Sequence, residues 1–179
     1  VLQLNVYTQS LAVIALLLAL IYPFSKRWFV CPQLFLGAAF AMSVPMAYAA
    51  VMNRIPLHGW FLWVGAWVWP LAYDTLYAMM DYKDDLKVGV HSAALWFKES
   101  VLTWVGVFYG CFFILCGLWA WQSQLHWIYW VGLSGCAIWV FMILRSLRYA
   151  NKPDYMYAFI VNRDIGCILF IVLVLATYL

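Results

Sequence analysis

The longest stretch without a charged side chain, residues 100–144, constrains this chain more than any other feature. It contains no Asp, Glu, Lys or Arg. A membrane-spanning helix needs about 20 apolar residues, so this stretch is too long for one helix and suits two, with a turn at residues 122–126. Residues 1–25 and 28–53 are also uncharged. The pattern predicts an all-α integral membrane protein embedded in the lipid bilayer.

The composition also indicates a membrane protein, since 68% of the residues are hydrophobic and 9% are charged. A soluble domain has about 25% charged residues. In the second predicted helix, Gly37 and Ala41 form a pair of small residues that allows close helix approach, and Pro45 is expected to kink the helix. We predict a single domain over residues 1–179 with six membrane helices, at about 4–24, 32–53, 57–81, 101–121, 127–147 and 155–178.

The basic residues are distributed unequally between the two ends of the predicted helices. Only Arg54 falls at one end, and nine lie at the other: Lys26, Arg27, Lys83, Lys87, Lys98, Arg145, Arg148, Lys152 and Arg163. All seven acidic residues lie at the same end as these nine basic residues. Basic residues favour the cytoplasmic side, so this end is predicted to be cytoplasmic. The positive charge is therefore a topology signal, and no nucleic-acid partner is expected.

Four of the seven acidic residues lie between positions 74 and 85. At 100° per residue, Asp74, Asp81 and Asp85 share one helical face, with Asp84 at its edge. Carboxylates are costly inside a bilayer, so a face of this kind calls for a polar cavity and a cation. Oxygen ligands favour Mg²⁺, Ca²⁺ or Mn²⁺. The alternative interpretation is a solvated acidic loop at the end of a membrane helix.

Two further groups of polar residues are candidates. Tyr22 and Lys26 are one helical turn apart, and such a lysine can serve an anionic phosphate, although an interfacial aromatic with a topology anchor is the alternative. Asn162, Arg163 and Asp164 lie inside the last predicted helix, where polar groups are functional candidates or form a structural ion pair. The five cysteines lie in apolar runs without metal-binding spacing and are interpreted as buried apolar residues without disulfides.

At these residues the chain resembles the UbiA family of membrane prenyltransferases. The specific motif lies at residues 73–89: Tyr73-Asp74-Thr75-x-Tyr77-Ala78-Met79-x-Asp81-x-x-Asp84-Asp85-x-Lys87-x-Gly89. Tyr22-Pro-Phe-Ser-Lys26-Arg27 matches a second family element. Two stretches depart from the family pattern: His91-Ser92-Ala93 replaces Lys-Ser-Thr, and Asn162-Arg163-Asp164 replaces an asparagine run.

The resemblance implies a nine-helix bundle with two aspartate-rich motifs around a central cavity. Asp81 and Asp85 would form the second motif and bind Mg²⁺ and diphosphate, with Asp74 catalytic. Tyr22 and Lys26 would contact the diphosphate, and Arg27 the carboxylate of an aromatic acid. The first motif is absent from this chain, and a start at Val1 rather than Met agrees with an expectation that three helices precede it.

The implied reaction is transfer of a polyprenyl group from its diphosphate to the ring carbon ortho to the hydroxyl of 4-hydroxybenzoate, in ubiquinone synthesis. The implied location is a bacterial inner membrane, with the active site facing the cytoplasm. Three alternatives remain open. The acceptor could be homogentisate or a naphthoate, the protein could be a subunit of a membrane cation transporter, or the chain could be a structural remnant with half a metal site.

Overall fold

The computed structural model describes residues 1–25, 27–89 and 91–179, and within these ranges it contains helices and no strand. This agrees with the predicted all-α class. One short 3-10 helix is present, Lys98–Ser100. The α-helices are α1 (Val6–Ser25), α2 (Gln33–Ala41), α3 (Ser43–Met52), α4 (Leu57–Ala78), α5 (Tyr82–Val88), α6 (Ala93–Phe97), α7 (Val101–Gln122), α8 (Trp127–Tyr149) and α9 (Tyr155–Tyr178).

Five helical segments in the described part of the chain are long and apolar enough to cross a membrane. The prediction of an integral membrane protein therefore holds, whereas the count of six spans is not confirmed. The predicted span that is not among the five, 57–81, corresponds to α4, which is long enough but carries Pro70, Asp74 and several tryptophans that lower its hydropathy. The five segments are Val6–Ser25, Gln33–Met52, Ala93–Gln122, Trp127–Tyr149 and Tyr155–Tyr178.

The second span is interrupted at Met42, which separates α2 from α3. Pro45 lies three residues later. It has no N–H to donate to the carbonyl of Ala41, and its ring crowds that carbonyl. The interruption therefore lies where the sequence predicts a kink.

Helix α4 lies at the centre of the structure and packs against α2, α3, α6, α7 and α9. Its approach to α2 depends on Gly37, because a Cβ atom there would lie 2.5 Å from the backbone oxygen of Trp67. The Trp67 indole N–H also donates to the carbonyl of Leu34 across 2.9 Å. The small-residue pair predicted in this span thus includes one true close-contact position.

Apolar clusters hold the two ends of the bundle together. At the end that carries most of the charges, Cys31, Leu71 and Ala93 are buried against one another, which joins the α1–α2 loop to α4 and α6. At the opposite end, a cluster that includes Trp119 and Tyr129 joins α7 and α8. The charged end is therefore a packed structure that joins several helices.

Candidate functional site

The acidic stretch does not lie on one continuous helix. Helix α4 ends at Ala78, and Asp81 precedes α5 with a non-helical backbone (φ −90°, ψ 2°). The predicted helix over 57–81 is therefore too long, and the prediction that Asp74, Asp81 and Asp85 share one helical face is wrong. The break assigns Asp74 to the central helix, Asp81 to the position directly before α5 and Asp85 to α5 itself, and we call Asp81 and Asp85 the α5 carboxylates.

Asp81 and Asp85 lie one turn apart at the start of α5. The Asp81 carbonyl accepts hydrogen bonds from the backbone N–H groups of Asp84 and Asp85, at 2.9 and 2.8 Å. Asp81 is exposed and Asp85 is half-buried. Neither forms an ion pair within the described ranges, whereas Asp84 pairs with Lys87 at 2.9 Å. The helical spacing alone predicts that Lys83 and Lys87 point away from the acidic face, and the structure corrects this for Lys87, which pairs with Asp84.

Asp74 is half-buried in the last turns of α4. Its charge acts on the Tyr22 hydroxyl of α1 and on the Cys31 thiol of the following loop. Burial, chiefly, raises the pKa of the Cys31 thiol from 9.0 to about 11, and the Asp74 charge adds to the rise. The structure therefore brings together Tyr22 and Asp74, two residues from separate predicted groups.

The turn after α1 positions the basic element. The backbone N–H of Arg27 donates to the carbonyl of Phe24 at 3.0 Å, and that of Phe29 donates to the carbonyl of Ser25 at 2.8 Å. Ser25 is fully buried, whereas the Arg27 side chain is exposed beside it. Arg27 is thus presented at the charged end. Lys26, the other predicted residue of this element, lies outside the described residues.

Gln33 is a buried polar residue that sequence reasoning missed. Its side-chain oxygen accepts hydrogen bonds from the backbone N–H of Ala93 at 3.3 Å and from the Cys31 thiol at 3.7 Å. These contacts tie the α1–α2 loop to the start of α6. The available signal was a lone polar residue directly after Pro32, in a run that is otherwise apolar.

Asn162 is buried and joins three helices. Its Oδ1 accepts hydrogen bonds from the Trp69 indole N–H of α4 at 2.9 Å and from the Tyr109 hydroxyl of α7 at 2.8 Å. Its Nδ2 donates to the carbonyls of Ala158 and Phe159 in its own helix. An asparagine side chain has two N–H donors and two acceptor lone pairs. All four are used inside the protein, so Asn162 has no capacity left for a ligand in this arrangement.

The next two residues of α9 form a local ion pair. The Arg163 Nε donates to Asp164 Oδ1 across 2.9 Å, and both side chains are substantially exposed. This geometry matches the structural ion pair that the sequence left open. Arg163 also lines a cavity.

A cavity of about 540 Å³ lies between the second span, α4 and α9. Its walls are mostly aromatic and apolar, and Tyr73, adjacent to Asp74, lies in its lining. Pro70 cannot donate to the carbonyl of Ala66, and both residues line this space. The cavity is suited to an apolar or aromatic ligand. Its lining includes Phe40, Ser43, Ala66, Trp69, Pro70, Tyr73, Phe159, Ile160, Asn162 and Arg163.

The carboxylates of α5 fit part of a magnesium site. Asp81 and Asp85 supply the oxygen ligands that Mg²⁺ prefers, and Mg²⁺ commonly completes its shell with water and substrate phosphates. Across residues 1–25, 27–89 and 91–179, no group of three or more His, Cys, Asp or Glu side chains is arranged to hold a metal ion. Asp81 and Asp85 therefore fit a metal ion whose remaining ligands are supplied by other groups, such as water or substrate phosphate.

Comparison with known proteins agrees with the resemblance. The sequence profile of the UbiA prenyltransferase family matches residues 1–176. Relatives named 4-hydroxybenzoate octaprenyltransferase include those of Polynucleobacter necessarius (41% identity, 96% of this chain), Shewanella denitrificans (39%, 97%) and Coxiella burnetii (39%, 96%).

The chain spans about 60% of the length of these curated relatives. No solved structure matches it. The family profile nevertheless covers nearly all of the chain. The chain therefore belongs to the UbiA prenyltransferase family.

Proposed function

We propose that this chain forms part of a membrane prenyltransferase that transfers a polyprenyl group from polyprenyl diphosphate to 4-hydroxybenzoate, in ubiquinone biosynthesis. The observation that carries the proposal is the identity of 39–41%, over nearly the whole chain, to relatives named 4-hydroxybenzoate octaprenyltransferase. The convergence of Tyr22, Asp74 and the Arg27 turn at one end of the bundle supports it.

In this proposal α4 also crosses the bilayer, which makes six spans in a single transmembrane domain of the nine-helix family type. The support is its length and its central packing, since neighbouring helices can cover its polar groups. The charged end faces the cytoplasm of a bacterium, with the protein in the inner membrane. The nine basic residues at that end, against Arg54 at the other, support this orientation.

The first step is departure of diphosphate from the allylic carbon of the prenyl donor. Asp81 and Asp85 would hold Mg²⁺, and Tyr22 and Lys26 would contact the diphosphate oxygens. When bound, Mg²⁺ supplies positive charge that stabilises the leaving diphosphate. The exposed Asp81 carboxylate and the half-buried Asp85 carboxylate suit this role because neither forms an ion pair with a lysine or arginine in the described part of the chain.

The second step is attack by the acceptor ring. The C–O bond of the donor breaks with its electron pair leaving on diphosphate, and the ring carbon ortho to the hydroxyl bonds to the allylic cation. The ring then loses the proton from that carbon. Arg27 binds the carboxylate of the acceptor, and Asp74 orients the phenol or accepts the proton. The half-burial of Asp74, directly after the cavity-lining residue Tyr73, supports this role.

The cavity holds the reacting prenyl unit. Its walls include Trp69, Tyr73 and Phe159. The centroid of the Tyr73 ring lies 6.0 Å from that of Trp69 and 5.9 Å from that of Phe159. Aromatic faces attract a nearby cation and exclude water that would otherwise quench it. Asn162 acts as a positioning residue in this account, because it fixes the Trp69 indole.

The test is product formation in membranes that carry the full-length protein. Octaprenyl diphosphate is supplied with 4-hydroxybenzoate, homogentisate or a dihydroxynaphthoate, with Mg²⁺ or with EDTA, and products are identified by mass spectrometry. We expect ring-prenylated 4-hydroxybenzoate only in the presence of Mg²⁺. Preferential prenylation of homogentisate or the naphthoate would retain the reaction type and replace the acceptor. Absence of any prenylated product, with a family enzyme active in parallel, would contradict the proposal.

A further inference from the structure

A groove lies between α7 and α8, and it is separate from the cavity between the second span, α4 and α9. Its volume is about 540 Å³. One end is basic and polar, with Thr103, Arg145 and Arg148, whereas the remaining wall is apolar and includes Val107 and Phe141. A groove with one cationic end and one apolar length matches a ligand that has an anionic head and a hydrocarbon tail.

The basic end is built from two helices. Arg145 and Arg148 are one turn apart near the end of α8, and the Arg148 Nη2 donates to the Thr103 Oγ1 of α7 across 3.1 Å. This contact holds the Arg148 guanidinium across the gap between the helices. Both arginines are exposed, and neither has an acidic partner in the described part of the chain. Two arginines without counterions can bind a phosphate through several charge-assisted hydrogen bonds.

The apolar wall of the groove contains a recess, because α7 carries glycine there. A Cβ atom on Gly106 would meet only Leu144 Cδ1, at 3.8 Å, and one on Gly110, the next turn of α7, would meet nothing within 4 Å. Neither glycine is therefore required for close packing of α7 against α8. Gly106 lies in the groove lining together with the two arginines, so its missing side chain leaves space next to the basic end.

We propose that this groove binds an anionic phospholipid of the surrounding bilayer. The headgroup phosphate lies at Arg145 and Arg148, and an acyl chain follows the recess at Gly106. Basic pockets between membrane helices on the cytoplasmic side are typical sites for anionic lipid headgroups. This inference rests on the proposed topology but not on the proposed reaction, since none of its residues lines the cavity beside Asp74.

Charge and shape together favour a phospholipid over the two simpler interpretations. A topology anchor requires only a basic side chain near the membrane surface, and it accounts neither for the Thr103 contact nor for the recess. A soluble phosphate would use the arginines and leave the apolar wall without a role. A phospholipid uses both parts of the groove.

The test measures lipid binding to the purified full-length protein by native mass spectrometry. Phosphatidylglycerol and phosphatidylcholine with identical acyl chains are titrated separately, and each is repeated with inorganic phosphate, with diphosphate or with octaprenyl diphosphate as competitor. The charge variant is Arg145→Ala/Arg148→Ala, and its charge-matched control is Arg54→Ala/Lys152→Ala, at exposed positions outside the groove. Gly106→Leu fills the recess and keeps both arginines, so it tests the site without any change of charge.

We expect the parent protein to prefer phosphatidylglycerol, and the charge variant to bind it roughly tenfold more weakly. The control should keep the preference, and Gly106→Leu should reduce it. If the charge variant does not fold, which a melting curve shows, Gly106→Leu alone decides the outcome. Undiminished preference in Gly106→Leu, or in a folded charge variant, would overturn the proposal. Displacement of the lipid by phosphate, diphosphate or octaprenyl diphosphate at equal concentration would also overturn it.

Loss of prenyltransferase activity has no bearing on these readouts, because they report lipid binding alone. A protein that prefers phosphatidylglycerol through this groove, yet does not prenylate any acceptor, would support this inference and contradict the proposed function. The two proposals can therefore fail independently.

Discussion

The Tyr109 hydroxyl of α7 lies 2.8 Å from the side-chain oxygen of Asn162 in α9, inside the bundle. The same oxygen accepts a hydrogen bond from Trp69 of α4. One amide thus fixes three helices relative to one another, and it also fixes an aromatic wall of the cavity. Asn162 is therefore a polar link between α4, α7 and α9.

Replacement of Asn162 by alanine should destabilise the full-length protein. The Tyr109 hydroxyl and the Trp69 indole N–H would lose their shared acceptor, and each unsatisfied buried donor costs about 1–3 kcal/mol, although polar pairs between membrane helices often contribute only about 0.6 kcal/mol. Thermal unfolding in detergent measures the change, and Asn151→Ala, at an exposed loop position, is the control. Equal melting temperatures for Asn162→Ala and Asn151→Ala would show that the Asn162 hydrogen bonds do not support the bundle.

Gly37→Ala should separate α2 from α4. Its Cβ atom would lie 2.5 Å from the Trp67 backbone oxygen, and a backbone atom cannot move aside as a flexible side chain does. We expect a loss of about 1–3 kcal/mol, as for other overpacked positions. Gly135→Ala is the matched control, because a Cβ atom there meets nothing within 4 Å. A Gly37→Ala protein as stable as Gly135→Ala would refute the close contact.

The Cys31 thiol should respond to pH and to Asp74. Since burial raises its pKa to about 11, its thiolate forms at a higher pH in the folded than in the unfolded protein. The stability that this shift contributes is complete below pH 9 and is lost as the pH rises toward 11. Melting temperatures between pH 8 and pH 11 should therefore fall more steeply with Cys31 present than in Cys31→Ala.

Removal of the Asp74 charge provides a second readout at the same thiol. In Asp74→Asn the pKa of Cys31 should fall, so the thiol should react faster with iodoacetamide near pH 10. Glu99→Gln, an exposed acid-to-amide change, should leave the rate unchanged. The proximity of Asp74 and Cys31 would be disproved by identical rates in the parent and in Asp74→Asn.

The two ends of α8 should be accessible from opposite sides of the membrane. We place single cysteines at two exposed positions, Gln122, the last residue of α7 on the side where α8 begins, and Asn151, just after α8, in a protein whose native cysteines are replaced. A membrane-impermeant maleimide should label Gln122→Cys in intact cells and Asn151→Cys only after the membrane is opened. Labelling of both from outside would contradict the proposed orientation.

Much of this architecture could be predicted from the sequence, because a bilayer leaves few alternatives to helices for uncharged runs. The runs before Lys26 and after Ser100 became helices close to the predicted bounds, and Pro45 marked the interruption of the second span. The break after Ala78 could not be predicted. Residues 79–81 carry no Gly or Pro, and an acidic helix face and an acidic turn share one sequence pattern.

The candidate site was predictable in its residue types and only partly in its arrangement. The motif at 73–89 indicated which carboxylates to examine, yet periodicity assigned Asp74 and Asp81 to one helix. The contacts of Gln33 with Cys31 and Ala93, and of Asn162 with Trp69 and Tyr109, depend on helix packing between distant parts of the chain. Local sequence patterns contain no such information.

The central claim is that the α5 carboxylates carry the prenyl transfer, and activity of one matched pair of variants tests it most directly. Asp81→Asn and Glu99→Gln each replace an exposed acid by its amide at the charged end of the full-length protein. We predict that Asp81→Asn forms prenylated 4-hydroxybenzoate at least about 100-fold more slowly, as expected when transition-state charge loses its stabilisation, and that Glu99→Gln matches the parent. Near-parental product formation by a folded Asp81→Asn protein would contradict the claim.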